Sequence, residues 1–271
     1  MKADLHLHTS ASDGTWTPEM LIENIVQSGI GIFAITDHDS IENITIAAKL
    51  VKNKNLTFIR GVEVNTTENG HIFHILGYNI DPQNESLNEI LQINRDVMER
   101  RDEKSIRLLQ EMDYPVALDE FRIYESNPER GGWKALNYVM DKGLCGHYKE
   151  FFGLFGDKRK GLGIEGCVNP EKAISAIKKA GGIPILAHPG SGLYGNNPRE
   201  TVSLAIDYGV EGIECFHPEN GDETTEYCIE LCRRENLYIT GGSDCHGTFV
   251  KERWLGKPDI DLEQLVLWEF K

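Results

Sequence analysis

Residues 3–19 read Ala-Asp-Leu-His-Leu-His-Thr-Ser-Ala-Ser-Asp-Gly-Thr-Trp-Thr-Pro-Glu. The segment 3–8 reads as a short strand, and a polar loop follows it. Thr17-Pro18-Glu19 then offers an N-cap, a first-turn proline and a first-turn acid for a helix that Gly29 closes. The unit recurs. Short runs rich in Ile, Val and Phe at 31–37, 57–64, 72–78, 183–188, 210–216 and 237–244 read as buried strands. Asn169-Pro170-Glu171 opens another capped helix, which ends at Gly181-Gly182. Strands alternating with helices imply an α/β fold with a mostly parallel sheet. About seven such units predict a barrel whose chemistry sits at the C-terminal ends of its strands.

The alternation stops between about residues 85 and 166. A long charged helix over 85–112, shorter helices near 134–142 and 147–155, and Gly-rich joints at 131–132 and 161–166 fill this stretch. The expected organisation is a barrel domain built from 1–84 and 167–271, with 85–166 as a helical insertion covering the active site.

A formal charge of −15 disfavours a protein that grips long duplex nucleic acid, which needs basic stripes. The six cysteines stand singly, without a CxxC pair, as in reduced thiols. The N-terminus carries no basic and apolar leader, and no apolar run approaches a membrane span, so the expected location is the cytoplasm.

Chemistry-bearing residues gather at the strand ends. His6 and His8, two apart on a strand, share one face and can reach one metal ion. Asp13 follows in the polar loop. Asp37, His38 and Asp39 end the second run, where either aspartate could instead cap the next helix. Glu63 sits inside an apolar run, and a buried carboxylate needs a cation or strong donors. It reads as the one carboxylate buried in a strand between the histidine sets. His71 and His74 face opposite sides of their strand, so only one enters the site. His188 ends the fifth run, and Asp244 and His246 end the last, after two glycines that permit close backbone approach. Mixed imidazole and carboxylate donors suit manganese, zinc or iron better than calcium.

In this order the motifs resemble the polymerase and histidinol phosphatase (PHP) family. They are Asp4-Leu5-His6-Leu7-His8 with Asp13, Thr36-Asp37-His38, Gly61-Val62-Glu63, His74, Ala187-His188-Pro189-Gly190 and Ser243-Asp244-Cys245-His246. The resemblance implies a distorted (β/α)7 barrel of PHP type with a helical insertion, and two or three divalent transition-metal ions, manganese first, zinc or iron next. It implies a first metal on His6, His8, Glu63 and Asp244, a second sharing Glu63 with His74 and His188, and a third on Asp13, His38 and His246. Glu63, Asp13 and His188 become the catalytic positions.

The resemblance further implies a metal-dependent phosphoesterase acting on a small phosphate monoester, a nucleoside 3′,5′-bisphosphate being one candidate, by attack of a metal-bridging hydroxide. In the branch that takes such bisphosphates, the insertion supplies an arginine and a histidine after Asn-Pro-Glu, and then a loop lysine. Here Asn127-Pro128-Glu129 is followed by Arg130-Gly131-Gly132-Trp133-Lys134, so glycine and lysine replace them, and Arg159 stands at the loop position. Arg159, Lys134 and His217 are the expected substrate-binding residues. Competing readings are a 5′→3′ exonuclease on short RNA, a metal-dependent amidohydrolase and a non-catalytic metal-binding regulatory domain. The oligomeric state stays open.

Overall fold

The computed structural model describes residues 1–156 and 162–267. Within them, β1 (Lys2–Asp4), β2 (Ile30–Ile35), β3 (Thr57–Glu68), β4 (His71–Tyr78), β5 (Ile183–Leu186), β6 (Gly212–Phe216), β7 (Tyr238–Gly241) and β8 (Ile260–Asp261) form one sheet. Its order is β7-β6-β5-β4-β3-β2-β1-β8. The sheet curls until β1 meets β7. At the mouth Leu5 N donates to Gly241 O (3.1 Å) and His8 N to Cys245 O (3.0 Å). At the far end β8 lies antiparallel beside β1, and Ile239 pairs with Val266. The result is a nearly closed α/β barrel.

Helices α1 (Pro18–Gln27) and α2 (Ile44–Val51) follow β1 and β2. Between β4 and β5 come α3 (Glu85–Glu111), α4 (Leu118–Ile123), α5 (Lys134–Asp141), α6 (Tyr148–Gly153) and α7 (Pro170–Lys179). Helices α8 (Pro198–Tyr208) and α9 (Asp222–Glu235) follow β5 and β6. The caps form as the sequence dictates. Thr17 accepts from Met20 N and Asn169 from Lys172 N, each with proline in the first turn.

Three features depart from the sequence reading. First, β4 is not the strand of a βα unit. It runs antiparallel to both β3 and β5, because Asn69 (φ 50°) and Gly70 (φ 81°) form a tight turn between β3 and β4. β3 therefore continues past Glu63 to Glu68, and the mouth end of β4 is its N-terminal half, which brings His74 to the level of Asn65. Second, the short closing strand β8 had no sequence signal.

Third, β1 stops at Asp4 although 3–8 reads as one strand. Ala3 and Leu5 belong to the apolar cluster inside the barrel, whereas Leu7 packs outside against Leu21 and Ile25 of α1. Strict alternation would point Leu7 inward, so the irregularity after Leu5 is what turns His6 and His8 into the barrel.

Ala3, Ile32, Ile59, Leu76, Ile185, Ile260 and Leu265 plug the barrel interior below the mouth. A larger cluster packs helices onto the outside of the sheet, and Leu87, Ile90 and Leu91 from the first half of α3 belong to it. The second half of α3 joins α4, α5 and α6 in a separate core around Phe121, Leu136 and Phe151. Residues of this helical layer, called the roof below, line one cavity together with Asp13, His38 and His74.

Candidate metal centre

Above the apolar plug the barrel turns polar. Glu63 is fully buried, and its two oxygens face two different sets of histidines. Oε2 lies 3.1 Å from His6 Nε2, 3.2 Å from His8 Nε2 and 3.3 Å from His38 Nδ1. Oε1 lies 2.9 Å from His74 Nδ1 and 3.0 Å from His188 Nε2. Asp244 joins the first set, with Oδ1 3.0 Å from His8 Nε2 and 3.4 Å from His6 Nε2. Asp13 Oδ1 sits 3.3 Å from His246 Nε2, whose ring stacks on His8 at 4.1 Å. All nine residues expected at the metals thus converge in one place, and His71 points away into solvent.

Three groupings bring ligand atoms close enough for one ion each. They are His6, His8, Glu63 and Asp244; His8, Asp13, His38 and His246; and His38, Glu63 and His74. The third differs from the expected second set, since His38 takes the place of His188. His188 nevertheless lies on the same Glu63 oxygen as His74.

The donor chemistry fits divalent cations. The Nε2 atoms of His6 and His8 are 3.1 Å apart and both lie beside the same carboxylate oxygens. Two facing imidazole nitrogens beside two carboxylate oxygens form a donor set from which one cation can take four lone pairs. Asp244 Oδ1 is buried and makes no aligned hydrogen bond despite its close neighbours. Its partner Oδ2 is fully engaged, accepting from Arg253 and from His217 Nε2 (3.3 Å). The carboxylate therefore presents one oxygen to the cluster and anchors the other.

Electrostatics point the same way. Burial opposes ionisation of Glu63, yet His38, His6 and His74 together hold its carboxyl well below the usual range. Burial likewise opposes protonation of His8, but Asp244 and Glu63 outweigh it and push its pKa up to about 10. A centre this rich in anionic oxygen attracts positive charge.

Three aspartates near the cluster organise backbone. Asp4 accepts from Ser243 N and Gly256 N (2.8 Å each), tying β1 to the loop that carries Asp244. Asp37 accepts from Thr9 N (2.7 Å), Thr9 Oγ1 and Ser12 Oγ (2.6 Å each), which shapes the loop ahead of Asp13. Asp39 accepts from Asn65 N (3.2 Å) and from Asn94 Nδ2 (2.7 Å) of α3, so the roof helix is bonded to the residue after His38.

The sequence reading passed over three neighbours of the cluster. Glu214 is fully buried in β6 and binds His6, so Glu63 is not the lone buried strand carboxylate. The signal was the same, a carboxylate inside an apolar run, and it was present in Gly-Ile-Glu-Cys-Phe. Arg253 grips Asp244 and Glu219 from a loop with no motif of its own. Trp133 sits with Asp13 and His38 between two cavities of about 780 and 450 Å³.

The expected substrate residues fare unevenly. His217 is buried beside Asp244, with Nδ1 accepting from Glu219 N (3.0 Å). Lys134 lines the larger cavity, but its ammonium donates to Arg122 O (3.1 Å) and rests over the Phe121 ring. Arg159 lies outside the described residues. Among the described residues no helix is long and apolar enough to cross a membrane, and the six cysteines form no disulfide.

Residues 4–122 match the PHP domain family. The chain is 30% identical over 252 residues to the 5′-3′ exoribonuclease Rnm of Escherichia coli, covering 90% of this chain and 84% of that one. It is 29% identical over 267 residues to a phosphoribosyl 1,2-cyclic phosphate 1,2-diphosphodiesterase of Eggerthella lenta, covering 94% and 98%. A 3′,5′-nucleoside bisphosphate phosphatase of Chromobacterium violaceum is 28% identical, with 90% and 86% covered. Among solved structures, a Bifidobacterium adolescentis protein classed as a metal-dependent phosphoesterase superposes with a TM-score of 0.77 at 27% identity, covering 94% and 91%. Fold, motif order and the convergence of nine metal-competent side chains agree with these likenesses, and the chain belongs to the PHP family.

Proposed function

We propose that this chain is a metal-dependent phosphoesterase that hydrolyses a small phosphate ester at two or three transition-metal ions, manganese being the first choice. His6, His8, Glu63 and Asp244 would hold one ion, Glu63, His74 and His188 a second, and Asp13, His38 and His246 a third. The observation that carries the reading is Glu63, whose two oxygens address separate histidine sets from a fully buried position. A carboxylate so placed suits a bridge between two cations. Bound cations of this kind supply a lowered pKa for coordinated water and positive charge against the phosphoryl oxygens.

The chain's own residues do the rest. Arg253 and His217 hold Asp244 Oδ2, so that Oδ1 stays turned toward His6 and His8. His217 Nδ1 accepts a backbone N–H, so the neutral ring carries its proton on Nε2. The roof encloses a cavity of about 780 Å³ that admits a metabolite-sized ligand, with Arg95, Arg101 and Trp133 in its wall. Lys134 and Arg159 are the further cations proposed to meet substrate phosphate, with Arg159 the stronger partner because a guanidinium pairs two oxygens at once.

A phosphate monoester, with a nucleoside 3′,5′-bisphosphate as the leading candidate, agrees with the activity named for the C. violaceum relative. A cyclic phosphodiester is the second reading, because the E. lenta relative matches over 98% of its length. The test is a panel of phosphorylated metabolites, cyclic phosphates and short oligoribonucleotides assayed with manganese, zinc or iron beside elemental analysis. The expected result is two or three ions per chain and fastest turnover of a small ester. A chain that binds no metal and cleaves no phosphate ester would overturn the proposal.

A further inference from the structure

Glu214 stands in β6 against the His6 ring and the His188 backbone, and its surroundings give it a defined task. Its neighbours on β6, Ile213 and Cys215, pack in the core outside the barrel, so the glutamate side chain points inward. It is fully buried, and both oxygens are engaged. Oε1 lies 2.9 Å from His6 Nδ1, and Oε2 accepts from the backbone N–H of His188 at 2.8 Å. Neither contact uses the ring nitrogens that face Glu63.

The two contacts act on different halves of the cluster. A carboxylate at Nδ1 keeps the proton on that nitrogen and leaves His6 Nε2 with a lone pair aimed at Glu63 and Asp244. His188 has φ +26°, a left-handed backbone in which a non-glycine residue is strained and must be held by its surroundings. The N–H bond to Glu214 is such a hold. Among the described residues, by contrast, none offers buried His188 Nδ1 a hydrogen bond, so none of them orients that ring through its far nitrogen.

We propose that Glu214 is a positioning residue that sets the His6 tautomer and fixes the His188 backbone, so that one carboxylate aligns a ligand of each of two metals. The inference rests on the metal reading above. A glutamine cannot replace it, because an amide offers one acceptor where two donors converge. Partners of this kind contribute about 10- to 100-fold to metal affinity when removed.

The test titrates chelator-stripped wild type and Glu214→Gln with Mn2+ by calorimetry, follows the fold by circular dichroism, and reads the His6 ring nitrogens of Zn2+-loaded wild type by 15N NMR. The expected variant keeps its secondary structure, binds at least two ions about 10- to 100-fold more weakly, and regains turnover at high Mn2+. The expected wild-type spectrum shows His6 protonated at Nδ1. Variant affinity equal to wild type overturns the proposal alone, whereas wild type that binds no ion overturns the metal reading and this proposal together. If the variant does not fold, the wild-type spectrum decides, and a neutral His6 protonated at Nε2 overturns the assignment.

Discussion

The floor and the roof of the chamber are built to different tolerances. On the floor, side chains from six strands or their ends meet within hydrogen-bonding distance, and several are held from behind. Glu214 backs His6, the carbonyl of Asp244 accepts from His246 Nδ1 at 2.7 Å, and Arg253 with His217 backs Asp244. In the roof, Lys and Arg are outnumbered by Asp and Glu, and several of the described cations pair with acids of the same layer. Arg101 meets Asp102, Arg122 meets Glu103, Arg130 meets Asp141 and Lys142 meets Glu120. A site that is fixed from behind can hold ions in one geometry. A surface whose charges are neutralised locally keeps its shape while single residues change, and that is where substrate preference can vary within one fold.

The largest effect expected from this contrast lies on the floor. Glu63→Gln removes the charge that faces both histidine sets, and metal content should fall together with turnover while the secondary structure survives. The loss in rate should be roughly 10³-fold or more, the scale of several kcal/mol of lost charge stabilisation. Full metal content and full turnover in this variant would remove Glu63 as the bridge, and with it the idea of a tightly specified floor.

Second in size is the pair His74→Ala and His71→Ala. His74 Nδ1 stands 2.9 Å from Glu63 Oε1, whereas His71 is exposed three residues away on the same strand. His74→Ala should weaken ion binding and cut kcat/KM by about 10²-fold or more, and His71→Ala should change it less than about twofold. Steady-state kinetics across a metal titration separates the two, and comparable losses would mean that the whole hairpin, not one face of it, supports the site.

The joint between roof and floor comes third. Gly132 N donates to Asp13 O at 2.8 Å, and Gly131 takes φ +70°, ψ −172°, a conformation open to glycine alone. A Cβ on Gly131 would come within 2.6 Å of the same Asp13 oxygen. Gly131→Ala should therefore cost about 1–3 kcal/mol of local strain and lower kcat/KM by roughly tenfold. A variant with unaltered kinetics would show that roof and floor work without this strap.

How far sequence carried the fold follows from the same physics. The capped helices and strand-end histidines rest on local rules, so residues such as Thr17, Asn169, His6 and Asp244 were legible. The hairpin was legible too, since Asn69-Gly70 is a strong turn signal, but the apolar run after it matched the repeating strand pattern and masked it. Glu214 carried the signal that singled out Glu63, and only three-dimensional placement shows that one faces histidine ring nitrogens on two sides while the other braces from below. The inward turn of His6 depends on a break in strand alternation after Leu5 that nothing in Asp-Leu-His-Leu-His announces. The resemblance puts a glycine where the bisphosphate branch has an arginine, which reads as a loss, yet the positive φ values of Gly131 and Gly132 are what let the roof touch Asp13.

The smallest expected effect is Lys134→Ala, and it tests the roof side of the contrast most directly. Lys134 lines the cavity, but its ammonium is held by a carbonyl oxygen and the face of Phe121. To meet a phosphate it must leave both contacts, so the gain from a new ion pair is offset by what is given up. An exposed point charge of this kind contributes about 0–1 kcal/mol, which corresponds to a change in KM of at most about fivefold. Arg159→Ala is the comparison, because a guanidinium bonding two phosphate oxygens contributes roughly 1.5–3 kcal/mol and its loss should raise KM for a bisphosphate by about tenfold or more. Measuring both variants on a bisphosphate and on a simple aryl phosphate completes the test. The Lys134 variant should be nearly silent on both, and the Arg159 variant should respond on the bisphosphate alone. A Lys134 variant that loses more than the Arg159 variant would mean that the ammonium swings into the cavity on binding, and that the roof is less settled than its internal pairs suggest.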